Sequence, residues 1–397
     1  MRERFVKGLS LAFLVRAPIA AVALLLSVTQ YKYFGEEDIV NIAKILSYSS
    51  LFSILVLQAL GSTYNLSLAR LNDDDARRIH FRHSLLMVIL ILLVAVILSR
   101  VQYNLFFALI LATSQALFQW FLSFLTVQAK NKALVLLSLL TSACVAILVV
   151  AMKNNVQLSL ELFYMILIAC YGVPGLFSLI YLSYLESKKD NPSKWRDYKS
   201  RFLEALSIFP LLSIVYWSFE FLPRLVSGPR QVEYNILMSI IIGFIGAVEV
   251  GLGQYFQKSY LLSSQSSVRQ FFSFYIGMIK TYVVVYAGVV FCLILCIKIL
   301  WPLLFSIPIE DNVELFWLLI LLQIIRILNF STFQFIYYHE KLKISIVFVG
   351  MIVLSVIMAS AFSKNLIGLH SYVITNAILL IVVGILNIQK IKHSCES

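Results

Sequence analysis

The sequence predicts an all-α polytopic membrane protein, with about twelve transmembrane helices in two six-helix bundles. Three observations carry that expectation: the apolar load, twelve apolar runs of spanning length, and one long basic loop near the middle. Of the 397 residues, 60% are hydrophobic and only 13% are charged. A soluble domain has about 45–50% apolar and about 25% charged residues, so one soluble core does not account for this composition. The spanning runs use up the length and leave no room for a soluble domain.

A spanning helix needs about 20 mostly apolar residues. Runs of that kind cover 9–30, 39–60, 83–99, 104–127, 133–152, 159–184, 202–222, 234–256, 271–297, 315–337, 342–362 and 367–388. The first follows "MRERFVKGLS" without a small-residue cleavage site, so it reads as a retained helix and not a signal peptide. An even number of spans puts both termini on one side. Lys and Arg number 21 on the side of the termini and seven in the opposite loops, which makes the termini cytoplasmic. The net charge of +12 is mostly this asymmetry and calls for no nucleic-acid partner.

The loop "ESKKDNPSKWRDYKSR" (186–201) divides the chain into bundles at 1–185 and 202–397, with itself as a cytoplasmic linker. Faint parallel similarity relates the halves. Pro18 and Pro210 stand at about the same depth in the first and seventh spans, and Gly35 and Gly228 precede the second and eighth. "TVQAKNKALVLLS" (126–138) matches "FIYYHEKLKISIV" (335–347), the loop at 298–315 absorbing the change in offset. A parallel repeat suits a transporter that rocks one bundle against the other.

Charges inside the spans point to function. Arg326 lies in "LLQIIRILNF", Lys280 in "FYIGMIKTYVVVYAG", and Arg16 two residues before Pro18. Arg224 borders the outer end of span seven, and Glu249 lies within span eight. A charge at a helix centre costs about 2.5–3.5 kcal/mol even on the lenient insertion scale, and such residues usually face a cavity or a partner. Arg16 and Lys44 are close enough to an interface that snorkelling is an alternative. Lys280 and Arg326 are deeper, and a structural pair with Glu249 is the alternative for them. Fixed cations in a low-dielectric cavity suit an anionic substrate, phosphate above all. Burial raises the pKa of a carboxyl group, which makes Glu249 a candidate proton-coupling residue.

Five cysteines lie in apolar runs or at the tail, and Cys292 and Cys296, four apart, have no His or carboxylate cluster beside them. They read as packing residues, with no disulfide framework, metal site or cofactor. No Walker A pattern, Gly-rich phosphate loop or Ser-His-Asp arrangement appears, which argues against an enzyme.

The segment "FEFLPRLVSGPRQVEYNIL" (219–237) resembles the span-seven-to-eight region of the Wzx-type polysaccharide flippases. These share a superfamily with the MATE multidrug exporters and the lipid II flippase. Arg224, Leu225, Gly228, Val232 and Tyr234 match the pattern, and Pro223 stands where an acid is common. "KGLSLAFLVRAP" resembles the family's opening, with Arg16 at the usual first-helix arginine.

The resemblance implies a MATE-like fold in the bacterial inner membrane. The expected cargo is an undecaprenyl-pyrophosphate-linked oligosaccharide repeat unit, moved from the cytoplasmic to the periplasmic leaflet. It also implies O-antigen or related lipopolysaccharide synthesis, with a polysaccharide polymerase and a chain-length regulator as partners. Arg16, Arg224, Lys280 and Arg326 would then face pyrophosphate or acidic sugar. The alternatives are a MATE-like multidrug or other lipid exporter, and a membrane polymerase or glycosyltransferase. Organic-cation cargo favours acidic cavity residues, and an enzyme would need a larger external loop than 298–314.

Overall fold

In the computed structural model the described residues are 33–53, 74–100, 103–127, 131–153, 159–187, 268–304, 313–340, 345–364 and 368–396. Scattered helical positions between 18 and 30 and between 232 and 256 complete them. Among the described residues all regular structure is helical. The elements are α1 (Glu36–Phe52), α2 (Asp74–Ser99), α3 (Tyr103–Val127), α4 (Asn131–Lys153), α5 (Leu160–Ser187), α6 (Val268–Leu304), α7 (Val313–Glu340), α8 (Ser345–Ser363) and α9 (Leu369–Glu396).

Each of these helices coincides with an apolar run, and several extend well beyond it. α2 begins nine residues before its run, through "DDARRIHFR", and α9 continues past residue 388 through "IQKIKHSCE". Residues 298–304, expected in a loop, prolong α6. The reason is that helical hydrogen bonds are local, and charged turns remain helical once they leave the apolar layer. Apolar stretches long enough to cross a membrane occur at Asn104–Leu122, Lys132–Met152, Leu160–Tyr181, Phe272–Phe291 and Leu369–Leu386. The chain is a multi-pass membrane protein. The expected run 202–222 and the linker 186–201 lie outside the described residues, apart from Glu186 and Ser187 at the end of α5.

Two compact units form, one of Tyr33–Leu225 and the other of Met1–Lys32 with Val226–Ser397. In the first, α3 is the central helix and packs on α1, α2 and α5. Its sequence explains this. Ala108, Ala112, Thr113, Ser114 and Ala116 are small and buried, and small residues let membrane helices approach closely. The buried hydroxyls bond back to their own helix: Thr113 to the Leu109 carbonyl at 2.8 Å, Ser114 to that of Ile110 at 2.9 Å, and Ser142 to that of Ser138 at 2.8 Å. Their polarity is thereby satisfied without water. A bond also crosses between helices, from Ser49 Oγ in α1 to Gln115 Oε1 in α3, at 3.1 Å.

Against α3 lie Gly172 and Gly175 of α5. A Cβ on Gly172 would stand 3.2 Å from Ser114 Oγ, and one on Gly175 would stand 3.1 Å from Leu117 Cβ. Gly175→Leu is therefore expected to lower membrane abundance, since overpacking a tight contact costs about 1–3 kcal/mol. Gly350→Leu is the control, because a Cβ there meets nothing within 4 Å. Immunoblots of membrane fractions compare them, and equal abundance of the two variants would refute close packing at Gly175.

In the second unit the most extensive pairing joins α7 to α9, with α6 packed on α7 and α8 on α9. α7 buries Leu315, Phe316, Leu319, Ile320 and Leu322, and α9 buries Leu369, Tyr372, Val373, Ala377, Leu380 and Val383. The packed side of α6 is aromatic. Tyr275, Met278, Tyr282 and Tyr286 recur every three or four residues, and Tyr282 stacks on Phe256 with centroids 6.0 Å apart. Tyr234, Met238, Ile241, Ile245, Val248 and Leu252 are buried at the same spacing, as one inward face of a helix requires.

Candidate substrate-binding site

Positions of the described charges form a pattern. Every described carboxylate lies within one turn of a helix end: Glu36, Glu37, Asp38, Asp74, Asp75, Glu161 and Glu314 at N-termini, and Glu186, Glu340 and Glu396 at C-termini. Acids in a first turn complement the partial positive charge of exposed backbone N–H groups. The helix interiors instead hold cations, Lys44 in α1, Lys280 in α6 and Arg326 in α7.

Arg326 is half-buried, and its Nε has no contact with solvent. The residue is otherwise engaged within the protein. One turn before it, at i−3 and so on the same face, Gln323 is buried, 1% exposed. α7 presents this face within the unit where its main neighbour is α9. α9 contributes two further polar side chains, Tyr372 and Asn376, each 0% exposed. They are four residues apart, on one face, and close enough to interact. Neither Tyr372 Oη nor Asn376 Oδ1 or Nδ2 completes a hydrogen bond of good geometry.

An amide buried with its hydrogen bonds unmade costs about 1–3 kcal/mol by mutational measures. Such a residue in an apolar helix needs a reason. Arg326 supplies a permanent positive charge and up to five N–H donors, Gln323 and Asn376 supply amides that donate and accept, and Tyr372 a hydroxyl that does both. Each of these groups is of a kind that binds phosphate oxygens or sugar hydroxyls. Among the described residues no cluster of His, Cys, Asp and Glu could hold a metal ion.

Of the residues singled out from sequence, Arg16, Arg224 and Glu249 lie outside the described residues. Lys280 is described, and it stands on the exposed side of α6, opposite Tyr275, Met278 and Tyr282. Arg326 is thus partly enclosed, as is Lys44 of α1. Sequence reasoning missed Gln323, Tyr372 and Asn376. The signal was present, since "SYVITNAILLIVV" sets an asparagine in the middle of an apolar run.

No family model matches the chain, and no curated protein matches it. Solved structures do. A multidrug resistance MATE family transporter of the MOP superfamily, outward-facing, superposes with a TM-score of 0.67 at 13% identity, covering 98% of this chain and 95% of that one. A MOP superfamily transporter from Pyrococcus furiosus, described with a binding pocket of reverse polarity that suggests a different function, gives 0.65 at 13% identity over 98% and 95%. A mutant MATE transporter from Vibrio cholerae gives 0.65 at 13% identity over 99% and 97%. The chain therefore has the MATE fold, an all-α architecture of twelve transmembrane helices in two six-helix bundles.

Proposed function

We propose that the chain is a flippase for an undecaprenyl-pyrophosphate-linked oligosaccharide, moving it from the cytoplasmic to the periplasmic leaflet by alternating access. The bundles 1–185 and 202–397, joined by the linker 186–201, would rock about a cationic cavity. Both termini would face the cytoplasm of a bacterial cell, in its inner membrane. The observation that carries this reading is Arg326, half-buried in the interior of α7 one turn from the buried Gln323, while the described carboxylates stand only at helix ends. A fixed guanidinium one turn from a buried amide favours a pyrophosphate over an organic cation. The Pyrococcus furiosus transporter supplies a precedent for pocket polarity marking a change of function on this fold.

Arg326 would grip a phosphate, with Gln323, Tyr372 and Asn376 available to sugar or phosphate oxygens. Arg16 and Arg224 are proposed as further contacts, and Glu249 as the proton-coupling group. The chain acts in this reading as a carrier and not as an enzyme.

The test is reconstitution in vesicles with a fluorescent undecaprenyl-pyrophosphate oligosaccharide, following its transfer to the leaflet where an added glycosidase reaches it. Protein-dependent transfer is expected, and Glu249→Gln should abolish its response to an imposed proton gradient. A wild-type response in that variant removes Glu249 from coupling. The second reading, a MATE-like multidrug exporter, rests on the multidrug transporter of the same fold. Efflux of an organic cation without saccharide transfer would establish it. Lengthening of the saccharide would instead reveal a polymerase.

A further inference from the structure

α6 has two sides of different character. Its apolar stretch Phe272–Phe291 is only 22% buried, against 72% for the Asn104–Leu122 stretch of α3. The buried residues form one aromatic stripe, Tyr275, Met278, Tyr282 and Tyr286. On the opposite side Arg269, Ser273, Ile276, Gly277, Lys280, Val283, Val284, Ala287 and Phe291 are all exposed. At 100° per residue these nine fall within about 60° of the Lys280 direction, one continuous face.

The chemistry of the face identifies the medium it meets. Val283 is 50% exposed, Val284 71% and Phe291 61%. Large exposed apolar residues along a spanning helix belong against lipid, because water would make them a sizeable apolar patch. Lys280 nonetheless lies eight residues inside this stretch, about 12 Å along the axis from its start. No acidic residue occurs anywhere in the 37 residues of α6, so the helix itself offers the lysine no counter-charge.

The sequence around Lys280 shows where that charge goes. Helical side chains lean toward the N-terminus of their own helix, so the lysine stem lies over the turn of Ile276 and Gly277. At Gly277 a Cβ would meet nothing within 4 Å, which leaves the lysine's path open. Ser273 lies one turn further on, again small, and Arg269 follows at the end of the apolar stretch. Arg269 and Lys280 are eleven residues apart on one face, about 16 Å along the axis. Between the two cations the face carries the small residues Ser273 and Gly277 beside Ile276, and beyond Lys280 it carries Val283, Val284 and Phe291.

We infer that the Arg269–Lys280 face of α6 binds the anionic headgroup of a membrane lipid, drawn below the interface by the lysine. Lys280 reaches toward the phosphate from within the apolar layer, and Arg269 adds a second positive charge at headgroup level. The groove over Ser273 and Gly277 receives the headgroup, while acyl chains lie against Val283, Val284 and Phe291. The occupant is a phospholipid of net negative charge, because a zwitterionic headgroup brings its own ammonium to the site and gains little from two cations. Such a lipid requires only that α6 crosses the membrane; it does not require a polyprenyl substrate.

The experiment uses the full chain purified in detergent with phosphatidylglycerol and phosphatidylcholine, and reads retained lipid by native mass spectrometry. Wild type is expected to retain phosphatidylglycerol in preference to phosphatidylcholine. Lys280→Gln should lower phosphatidylglycerol retention about tenfold, the scale of one charge-assisted contact, and Lys280→Arg should keep it. Lys364→Gln, at an exposed position outside this face, should leave it unchanged. A thermal melt of each variant establishes that it is folded. Equal retention of the two lipids by wild type, or undiminished retention in Lys280→Gln, overturns the assignment. Lys280-dependent retention in a protein that moves no lipid-linked saccharide upholds the lipid site and counts only against the proposed flippase activity.

Discussion

Arg326→Gln is expected to leave the chain abundant in the membrane and to reduce saccharide transfer to background. Removing the guanidinium relieves an insertion cost of about 2.5–3.5 kcal/mol at a helix centre, so folding has little to lose if the charge serves an anion path. Transport loses the group that would hold the phosphate. Arg326→Lys keeps the charge and gives up the planar fork that grips phosphate in two places, so partial transport is expected. The residue is already engaged within the protein, which makes a structural ion pair the alternative to defeat. That alternative predicts the reverse pattern. Stranding a buried partner costs about 3–5 kcal/mol, so abundance would fall in Arg326→Gln. It would return when Glu249→Gln is added, if Glu249 is the partner. Membrane abundance measured beside transport for the single and double variants separates the two, and rescue of both by the double change ends the substrate role.

Asn376→Leu is expected to make the protein more heat-resistant while slowing transport. The amide is 0% exposed and completes no good hydrogen bond at either end. Replacing it with an apolar side chain of similar size should return about 1–3 kcal/mol of desolvation. If the amide is kept for cargo or for a second conformation, transport falls although stability rises. Thermal melts in detergent and vesicle transport on the same preparation give both quantities. A destabilised Asn376→Leu would show that the amide is paired in the native state, through Tyr372 or otherwise, and is structural.

How far the site could be read in advance varied with the residue. Arg326 was conspicuous because a permanent charge among leucines and isoleucines has no ordinary explanation, and composition alone exposes it. Gln323 and Asn376 were passed over because neutral amides cost less than charges and are common near membrane surfaces. Their meaning depends on burial, which is a property of neighbours: Asn376 is significant because α9 turns it inward with Tyr372, at 0% exposure for both. Lys280 illustrates the converse. Its depth along the chain is legible, but the direction in which it faces is not.

By itself the sequence determined the described helices and the apolar runs within them that are long enough to cross a membrane. These follow from interactions local in the chain, because apolar runs of about 20 residues must be helical in lipid to satisfy their own backbone. Helix ends were less legible, as α2, α6 and α9 continue past the apolar layer that the runs mark. Only the tertiary structure decided which face of each helix is packed. It set Gly175 against Leu117, turned the tyrosines of α6 inward and left Lys280 on the exposed side. Lipid is as apolar as a leucine side chain, so hydrophobicity does not distinguish the inside of a membrane bundle from its outside; close contact between particular side chains does.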